Sequence, residues 1–306
     1  MAYLLDPEDM QAVSVEDIQS TKEKSFLCII SFAELQATSV QLGISEKIVK
    51  ECLTSNISKF ESHDGFDFIT LNIPNDVGQF NKPQRVCLYF TKKLLVFVND
   101  SNPVLDDLIE AIETKEITKI SLGKVMHRFF DRLTFDDSMG LEKIEQQISK
   151  LEEELVVSAK KDFLHFLVTY RNKLLTLKLY YEQILEIYEA IEQNENGLIE
   201  QAELRYFRIL TSRANRLYNG VLNLRDYVTQ VREAYQTQID INLNSVMKVF
   251  TVITSVFFPL TLIVGWYGMN LRMPEFNWRY GYPFVIGISL ITAAATLIYF
   301  KKKKWF

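Results

Sequence analysis

The chain has 306 residues, of which 48% are hydrophobic and 24% are charged, and its formal net charge is −5. This size allows one sizeable soluble domain and a second, smaller part. The acidic balance gives no basis for nucleic-acid binding, and no nucleophile–base motif, phosphate-binding loop or metal-ligand cluster typical of an enzyme is recognisable. We therefore expect neither a nucleic-acid partner nor a small-molecule substrate.

The amino terminus does not resemble a secretory signal, because Asp6, Glu8 and Asp9 stand where a basic region and an apolar core are needed. We expect the chain to begin in the cytoplasm. The cysteines are odd in number, far apart and without CxxC spacing, so we interpret them as reduced packing residues. They are Cys28, Cys52 and Cys87.

The first 120 residues alternate short strand-like and helical patterns, which predicts a small α/β unit. Ser31 and Glu34 form a capping box at the start of a helix through about Leu42, and Ser45 can cap a second helix. Strands are predicted over 26–30, 66–73, 85–90 and 94–98, and a further helix over 104–113.

The candidate metal ligands in this region are sparse. His63, His127 and His165 are scattered and have no second His or Cys one helical turn away, so zinc ligation is not expected. The acidic pairs 106–107 and 136–137 have two interpretations: each could hold a divalent ion through carboxylate oxygens, or each is an ordinary solvated surface.

Long helices are predicted after Ser121. Leucine and isoleucine residues from Leu141 to Leu155 repeat at alternating spacings of three and four, and a second helix over about 160–193 should pair with the first as an antiparallel hairpin. A third helix is predicted from Leu198 to Tyr267, with Pro259 as a possible kink.

Two uncharged runs near the carboxyl terminus are each long enough to cross a bilayer as a helix. The first, Val249 to Leu271, has 23 residues, and the second, Gly281 to Phe300, has 20. Four lysines follow the second run, so the positive-inside rule places the carboxyl terminus in the cytoplasm. Two spans then return the amino-terminal domain to the same side.

Small and polar residues follow one face of the first span, at alternating spacings of three and four. One interpretation is a close-packing interface between membrane helices, and the other is a wall lining water. Two spans cannot enclose an aqueous path, so a pore requires several copies around an axis. We call this face the stripe; its members are Asn244, Met247, Thr251, Thr254, Phe258, Thr261, Gly265 and Gly268.

The loop between the spans carries recognisable motifs. Tyr267-Gly268-Met269-Asn270 is followed by Met273-Pro274-Glu275, Trp278 and Gly281-Tyr282-Pro283, and the second span ends in the lysine tail with Trp305. This arrangement resembles the CorA family of magnesium channels over both spans and their loop. The upstream order of an α/β unit, a helical hairpin and a stalk helix is similar to that family as well.

The resemblance implies a homopentamer in a lipid bilayer, with the first spans lining a pore. It implies that Asn270, shaped by Gly268 and Met269, binds hydrated Mg²⁺ at the outer mouth, and that Glu275 collects cations. Mg²⁺ is then the transported ion and a cytoplasmic regulator, whose regulatory sites are not assigned. The residues that correspond to pore-lining positions are Asn244, Met247, Thr254, Phe258, Thr261 and Gly265, with Phe258 as a candidate constriction; the basic tail is Lys301, Lys302, Lys303 and Lys304.

The expected fold class is an α+β cytoplasmic domain followed by two transmembrane helices, in the inner membrane with both termini cytoplasmic. The expected divisions are 1–120 for the α/β unit, 121–198 for the hairpin, 199–246 for the cytoplasmic part of the stalk, 247–268 for the pore-lining span, 269–281 for the external loop, 282–300 for the second span and 301–306 for the tail. The alternatives are a Zn²⁺, Co²⁺ or Ni²⁺ transporter of the same superfamily and a non-conducting, membrane-anchored coiled-coil scaffold.

Overall fold

The computed structural model describes residues 2–6, 9–18, 24–55, 57–74, 84–100, 102–114, 119–157, 163–270, 278–303 and 305. It divides into two units. The first comprises Met1–Glu154 and Lys160–Gln230, and the second comprises Leu155–Ala159 and Val231–Phe306.

The first unit begins with seven strands and three short helices. The strands are β1 (Ala2–Asp6), β2 (Asp9–Val13), β3 (Ser25–Ile30), β4 (Lys59–His63), β5 (Phe66–Ile73), β6 (Gln84–Thr91) and β7 (Leu94–Val98). The helices are α1 (Phe32–Thr38), α2 (Glu46–Thr54) and α3 (Pro103–Glu113), and a short 3-10 helix covers Val15–Ile18.

Five longer helices follow, and the last two carry the uncharged runs. They are α4 (Leu122–Leu133), α5 (Asp137–Val157), α6 (Phe163–Gln193), α7 (Leu204–Tyr267) and α8 (Gly281–Lys302). The predicted strands and helices of the α/β unit are therefore confirmed within a few residues at each end.

The seven strands form one sheet in the order β2-β1-β3-β7-β6-β5-β4. Only the β3–β7 pair is parallel among the described pairings; the others are antiparallel. All five residues of β7 are buried, because both faces of the sheet are covered. On one face α1 and α2 pack through Leu35, Ile48 and Cys52, and on the other Phe129 of α4 contacts Phe97 with ring centroids 4.9 Å apart.

The two edge strands, β2 and β4, and β1, which lies between β2 and β3, were not predicted from the sequence. β4 has the sequence Lys-Phe-Glu-Ser-His and only partly buried or exposed side chains. Polar, charged edge strands lack the apolar pattern by which strands are recognised, and they protect a sheet from pairing with other chains. The amino-acid sequence of a polar edge strand such as β4 therefore gives little indication that a strand is present.

The capping predictions for α1 and α2 have different outcomes. At α1 the capping box is confirmed, since the Ser31 hydroxyl accepts from the Glu34 amide and the Glu34 carboxylate accepts from the Ser31 amide. α1 ends at Thr38 rather than near Leu42, because a turn follows and Gly43 adopts a φ of 70°. Ser45 occupies the N-cap position of α2, but its side chain makes no capping bond.

Helices α5 and α6 form the predicted antiparallel pair. The Tyr170 hydroxyl donates to Gln147 at 3.1 Å, and Tyr181, further along α6, lies beside Asp137 at the start of α5. The segment 121–198 also contains α4, which the sequence analysis did not separate from the hairpin. Tyr188 of α6 donates a buried hydrogen bond to the Phe130 carbonyl of α4, so all three helices share one core.

The turn between α6 and α7 binds the sheet. The Asn196 side-chain amide lies 2.7 Å from the His63 carbonyl and 2.7 Å from the Asp67 carboxylate. Gly197 has a φ of 61°, and turns continue to Glu203, so α7 begins at Leu204 and not at the predicted Leu198. Glu203 is buried and accepts a hydrogen bond from the Ser121 hydroxyl at 2.5 Å, which joins the start of α7 to the start of α4.

A buried carboxyl lies where α4, α5 and α6 meet. Desolvation raises the pKa of Asp137 to about 6, and the neighbouring Tyr181 hydroxyl partly opposes this shift. The hydroxyl of Tyr180, the residue before Tyr181, is buried without a hydrogen-bond partner among the described residues. Asp136 is instead exposed and 3.6 Å from Arg132, so the sequence-adjacent acids have opposite environments.

This contrast predicts a pH-dependent stability. The folded-state pKa of Asp137 lies above its ordinary value of 3.8, so proton binding stabilises the folded form and the contribution is lost as pH rises through about 6. We expect Asp137→Asn to remove about 1 kcal/mol of the stabilisation that the native chain gains between pH 7.5 and pH 5. The difference in stability between the two pH values is measured by thermal unfolding of the purified full chain in detergent.

The matched control is Asp136→Asn, which removes a charge of the same type one residue away. Because the Asp136 charge adds to the desolvation that raises the pKa of Asp137, this control should reduce the pH dependence of the melting temperature, but by less than Asp137→Asn does. A native-like pH profile for Asp137→Asn would contradict the assignment of the buried carboxyl as the titrating group.

Candidate ion pathway

Helices α7 and α8 are the two described helices that are long and apolar enough to cross a membrane. α7 has 64 residues, of which those up to Gln230 belong to the first unit and those from Val231 belong to the second. At about 1.5 Å per residue it is roughly 95 Å long. Pro259, the possible kink, lies within it, as does Gly220.

The stripe lies on an exposed face of α7. All eight of its residues are exposed, and the Phe258 side chain is 72% exposed. The partly or fully covered residues of the same segment include Val252, Val256, Ile263 and Tyr267. At about 100° per residue, the centre of this covered set lies roughly 160° from the centre of the stripe. The polar face of α7 and its covered face are therefore nearly opposite.

The threonine hydroxyls of the stripe donate to the helix backbone. Thr251, Thr254 and Thr261 each donate to the carbonyl four residues earlier, at 2.8, 2.9 and 2.8 Å. A hydroxyl has one donor and two acceptor lone pairs. With their donors used, these oxygens present lone pairs outward, which suits contact with a cation or with the waters around it.

Pro259 alters the backbone next to Phe258. Proline has no N–H, so the Ser255 carbonyl loses its donor in the helical ladder. A proline within a membrane helix is tolerated where a neighbouring group or water satisfies the freed carbonyl. One backbone hydrogen bond of the helix is therefore absent next to Phe258, the bulkiest side chain of the stripe.

The helix ends at the motif that opens the loop. The Gly268 amide donates to the Val264 carbonyl at 2.8 Å, and the Met269 amide donates to the Trp266 carbonyl at 3.3 Å. A Cβ on Gly268 would lie 2.8 Å from the Val264 carbonyl oxygen, which is closer than side chains tolerate. Asn270 follows, exposed and without a hydrogen bond to any described residue. The turn therefore requires glycine at position 268.

The remaining predicted site residues are only partly described. Glu275 lies outside the described residues, as does Lys304. Lys301, Lys302 and Lys303 are exposed at the end of α8, beyond Phe300, whose ring centroid is 5.1 Å from that of Trp305. Gly268, Met269 and Asn270 follow directly on the end of α7, and their roles, like that of Glu275, stay predictions.

The acidic pairs do not form a metal site within one chain. Asp107 and Asp136 both contact Arg132, at 3.1 and 3.6 Å, and Asp137 is half-buried. No group of three or more His, Cys, Asp or Glu side chains that could hold a metal occurs among the described residues.

One feature near the loop was missed by the sequence analysis. Trp278 and Arg279 precede α8, and with Tyr282 they line the mouth of a cavity between α7 and α8. Adjacent aromatic and basic residues at the end of an apolar run are typical of a membrane interface, and this signal was available in the sequence.

Comparisons with known proteins relate this chain to one transporter family. Residues 31–302 match the family model described as "CorA-like Mg2+ transporter protein". The "Cobalt/magnesium transport protein CorA" of Thermotoga maritima is 28% identical over 311 residues, covering 97% of this chain and 88% of that protein.

Two solved structures share the fold. The CorA magnesium transporter from Methanocaldococcus jannaschii superposes with a TM-score of 0.82 at 19% identity, over 100% of this chain and 99% of that one. The ZntB cytoplasmic domain from Vibrio parahaemolyticus superposes with a TM-score of 0.64 at 9% identity, over 78% of this chain and 99% of that one. The first match confirms the predicted α/β domain followed by two carboxyl-terminal apolar helices.

The turn geometry predicts opposite effects for two glycines. Gly268→Ala should lower stability by about 1 kcal/mol or more, because its Cβ conflicts with the Val264 carbonyl. Gly265→Ala meets nothing within 4 Å and should be neutral or stabilising by up to about 1 kcal/mol, since alanine favours helix. Thermal unfolding of the full chain in detergent separates the two, and a shift of equal sign and size in both variants would refute the argument.

Proposed function

The chain belongs to the family of CorA-like Mg²⁺ transporter proteins, and from this premise we propose that it is a homopentameric channel through which Mg²⁺ enters the cell, driven by the membrane potential. Five copies of α7 surround the path and five copies of α8 form an outer ring. Co²⁺ and Ni²⁺ are expected as further transported ions.

The observation that carries this proposal is the placement of the stripe. Polar groups facing lipid are costly, so a polar face is stable in a membrane only against water or another helix. The stripe is exposed and nearly opposite the covered face of α7, and it leads directly to Gly268, Met269 and Asn270. Fivefold repetition converts each stripe residue into a ring around one axis.

Asn270 forms the outer ring in this proposal. Mg²⁺ gives up its inner waters reluctantly, so a ring of neutral amide oxygens selects the hydrated ion without removing them. A ring of five carboxylates would hold a divalent cation more strongly and slow its release. Glu275, in the loop that follows, is proposed to raise the local cation concentration.

The inner part of the path alternates polar and apolar rings. Thr261, Thr254 and Asn244 supply oxygen atoms, whereas Phe258 and Met247 supply apolar side chains. Apolar constrictions in a water-filled path can close it by dewetting. Phe258 is therefore proposed as the principal constriction, next to the irregular backbone at Pro259.

The orientation follows from charge. The lysine tail places the end of α8 on the cytoplasmic side, and the 269–281 segment is then external. We propose the cell (inner) membrane as the location, with both termini in the cytoplasm.

Regulation by cytoplasmic Mg²⁺ is part of the proposal. Acidic side chains from adjacent subunits would bind the ion and hold the closed state, and α7 would transmit its loss to the span. No regulatory site is assigned, since the described part of one chain holds no three-carboxylate group.

Uptake by vesicles tests the role of Asn270. We expect Asn270→Ala to lower Mg²⁺ uptake about tenfold or more, because the ring then lacks the amide oxygens that bind the hydrated ion. The measurement uses the full chain in vesicles that contain a Mg²⁺-sensitive dye, and a Zn²⁺-sensitive dye in parallel tests the zinc alternative. Asn242→Ala is the matched control, since Asn242 is exposed on the same helix but outside the stripe.

Three outcomes contradict parts of the proposal. Equal uptake by the native chain and Asn270→Ala would remove Asn270 from the mechanism. No uptake by the native chain would favour the non-conducting scaffold. A monomer or dimer in detergent would leave the stripe with no axis to surround.

Electrical recording tests the regulation. Currents through giant membrane patches should fall as Mg²⁺ on the cytoplasmic face rises into the millimolar range, because the closed state then binds more ions. A matched rise in ionic strength with a monovalent salt is the control. Currents that ignore internal Mg²⁺ would exclude feedback by the transported ion.

A further inference from the structure

A cavity of about 700 Å³ lies between α7 and α8 in the second unit. From α7 it is lined by Leu260 and Val264, and from α8 by Val285, Ser289 and Ala293. Its volume is within the range typical of ligand pockets, about 300–1,000 Å³. Most of the lining side chains are apolar.

The surroundings of the cavity limit what can fill it. The lining belongs to the membrane-spanning segments, where hydrocarbon replaces water as the solvent. If this space stayed empty, the atoms that line it would have no dispersion contacts on the side that faces it. The stable occupant is therefore apolar along most of its length.

The depth of the cavity matches one leaflet. On α8 the lining runs from Gly281 to Ala293, which is about 18 Å of helix. Half of a hydrocarbon core is about 15 Å. The cavity thus begins at the loop end and stops near the middle of the bilayer. A helix from another copy would run through both leaflets, whereas an acyl chain ends where the cavity ends.

The mouth of the cavity carries groups suited to a lipid headgroup. Arg279 is among the lining residues and makes no ion pair with any residue that the structure describes. Trp278 and Tyr282 flank it, and the Trp278 ring is 5.6 Å from that of Phe284. Guanidinium groups bind phosphate through paired, charge-assisted hydrogen bonds, and Trp and Tyr concentrate at the level of the headgroups.

We propose that this cavity binds one phospholipid of the leaflet on the side of the 269–281 loop, with an acyl chain between α7 and α8 and its phosphate on Arg279. The cavity also includes Tyr267 and Gly268, so the bound lipid contacts the helix end that precedes Asn270. The site does not depend on which ion is transported.

Lipid binding by the purified full-length assembly tests this site. The probes are 1-palmitoyl-2-oleoyl-phosphatidylglycerol and the diacylglycerol with the same chains, which lacks the phosphate, and the readout is bound lipid by native mass spectrometry. The native chain should bind the phospholipid about tenfold more tightly than the diacylglycerol. Arg279→Gln should abolish this preference, and Arg279→Lys should retain most of it.

A second pair of variants tests the cavity itself. Ala293→Phe fills the lined space and should reduce binding of both probes, whereas Ala294→Phe adds the same ring at an exposed position outside the lining and should not. All variants must keep the oligomeric state of the native chain, which size-exclusion chromatography reports.

Two results would overturn the proposal. Unchanged lipid preference in Arg279→Gln, together with unchanged binding in Ala293→Phe, would place bound lipid elsewhere. Absence of bound lipid in the native assembly would be the outcome if a neighbouring copy fills the cavity. Both readouts are independent of ion uptake, so they do not depend on the proposed transport function.

Discussion

The requirement that most constrains this molecule is that backbone N–H and C=O groups inside a bilayer need partners within the protein. α7 meets it by remaining helical to Tyr267, and its last carbonyls at Val264 and Trp266 accept from the Gly268 and Met269 amides. The helix therefore ends with its backbone largely satisfied. Asn270 follows directly, where the chain has left the helix, and its side chain is exposed.

The same requirement explains the arrangement of polar side chains along α7. Each of the three stripe threonines donates to a carbonyl of its own helix, which lowers the cost of placing a hydroxyl in the membrane. The lone pairs of these hydroxyl oxygens are still available as acceptors, and they need water or another hydrogen-bond donor beside them. A single chain supplies neither along this exposed face, so the chemistry of the stripe itself favours an assembly with a wet centre.

Much of the fold was predictable because its signals are local. The central strands, the Ser31–Glu34 capping box and both apolar spans depend on near neighbours in sequence. The errors concern groups whose roles depend on distant residues: the polar edge strand β4, the start of α7 at Leu204, where Glu203 is held by Ser121, and the burial of Asp137 under α6. The same distinction applies to the candidate site. The stripe was predictable because its residues repeat at helical spacing along one segment, whereas the cavity depends on how far apart α7 and α8 lie.

The ligand chemistry along the proposed path bears on the choice of ion. Every histidine and cysteine of the sequence occurs at or before His165, so neither span nor their loop supplies an imidazole or a thiolate. Zn²⁺ prefers nitrogen and sulfur ligands, whereas Mg²⁺ prefers oxygen. The fold is shared with the ZntB cytoplasmic domain and therefore does not discriminate between the two ions. Apart from the thioethers of Met247 and Met269, this path offers amide, hydroxyl and backbone oxygens, which favours a hydrated, hard cation over one that must be bound directly by nitrogen or thiolate ligands.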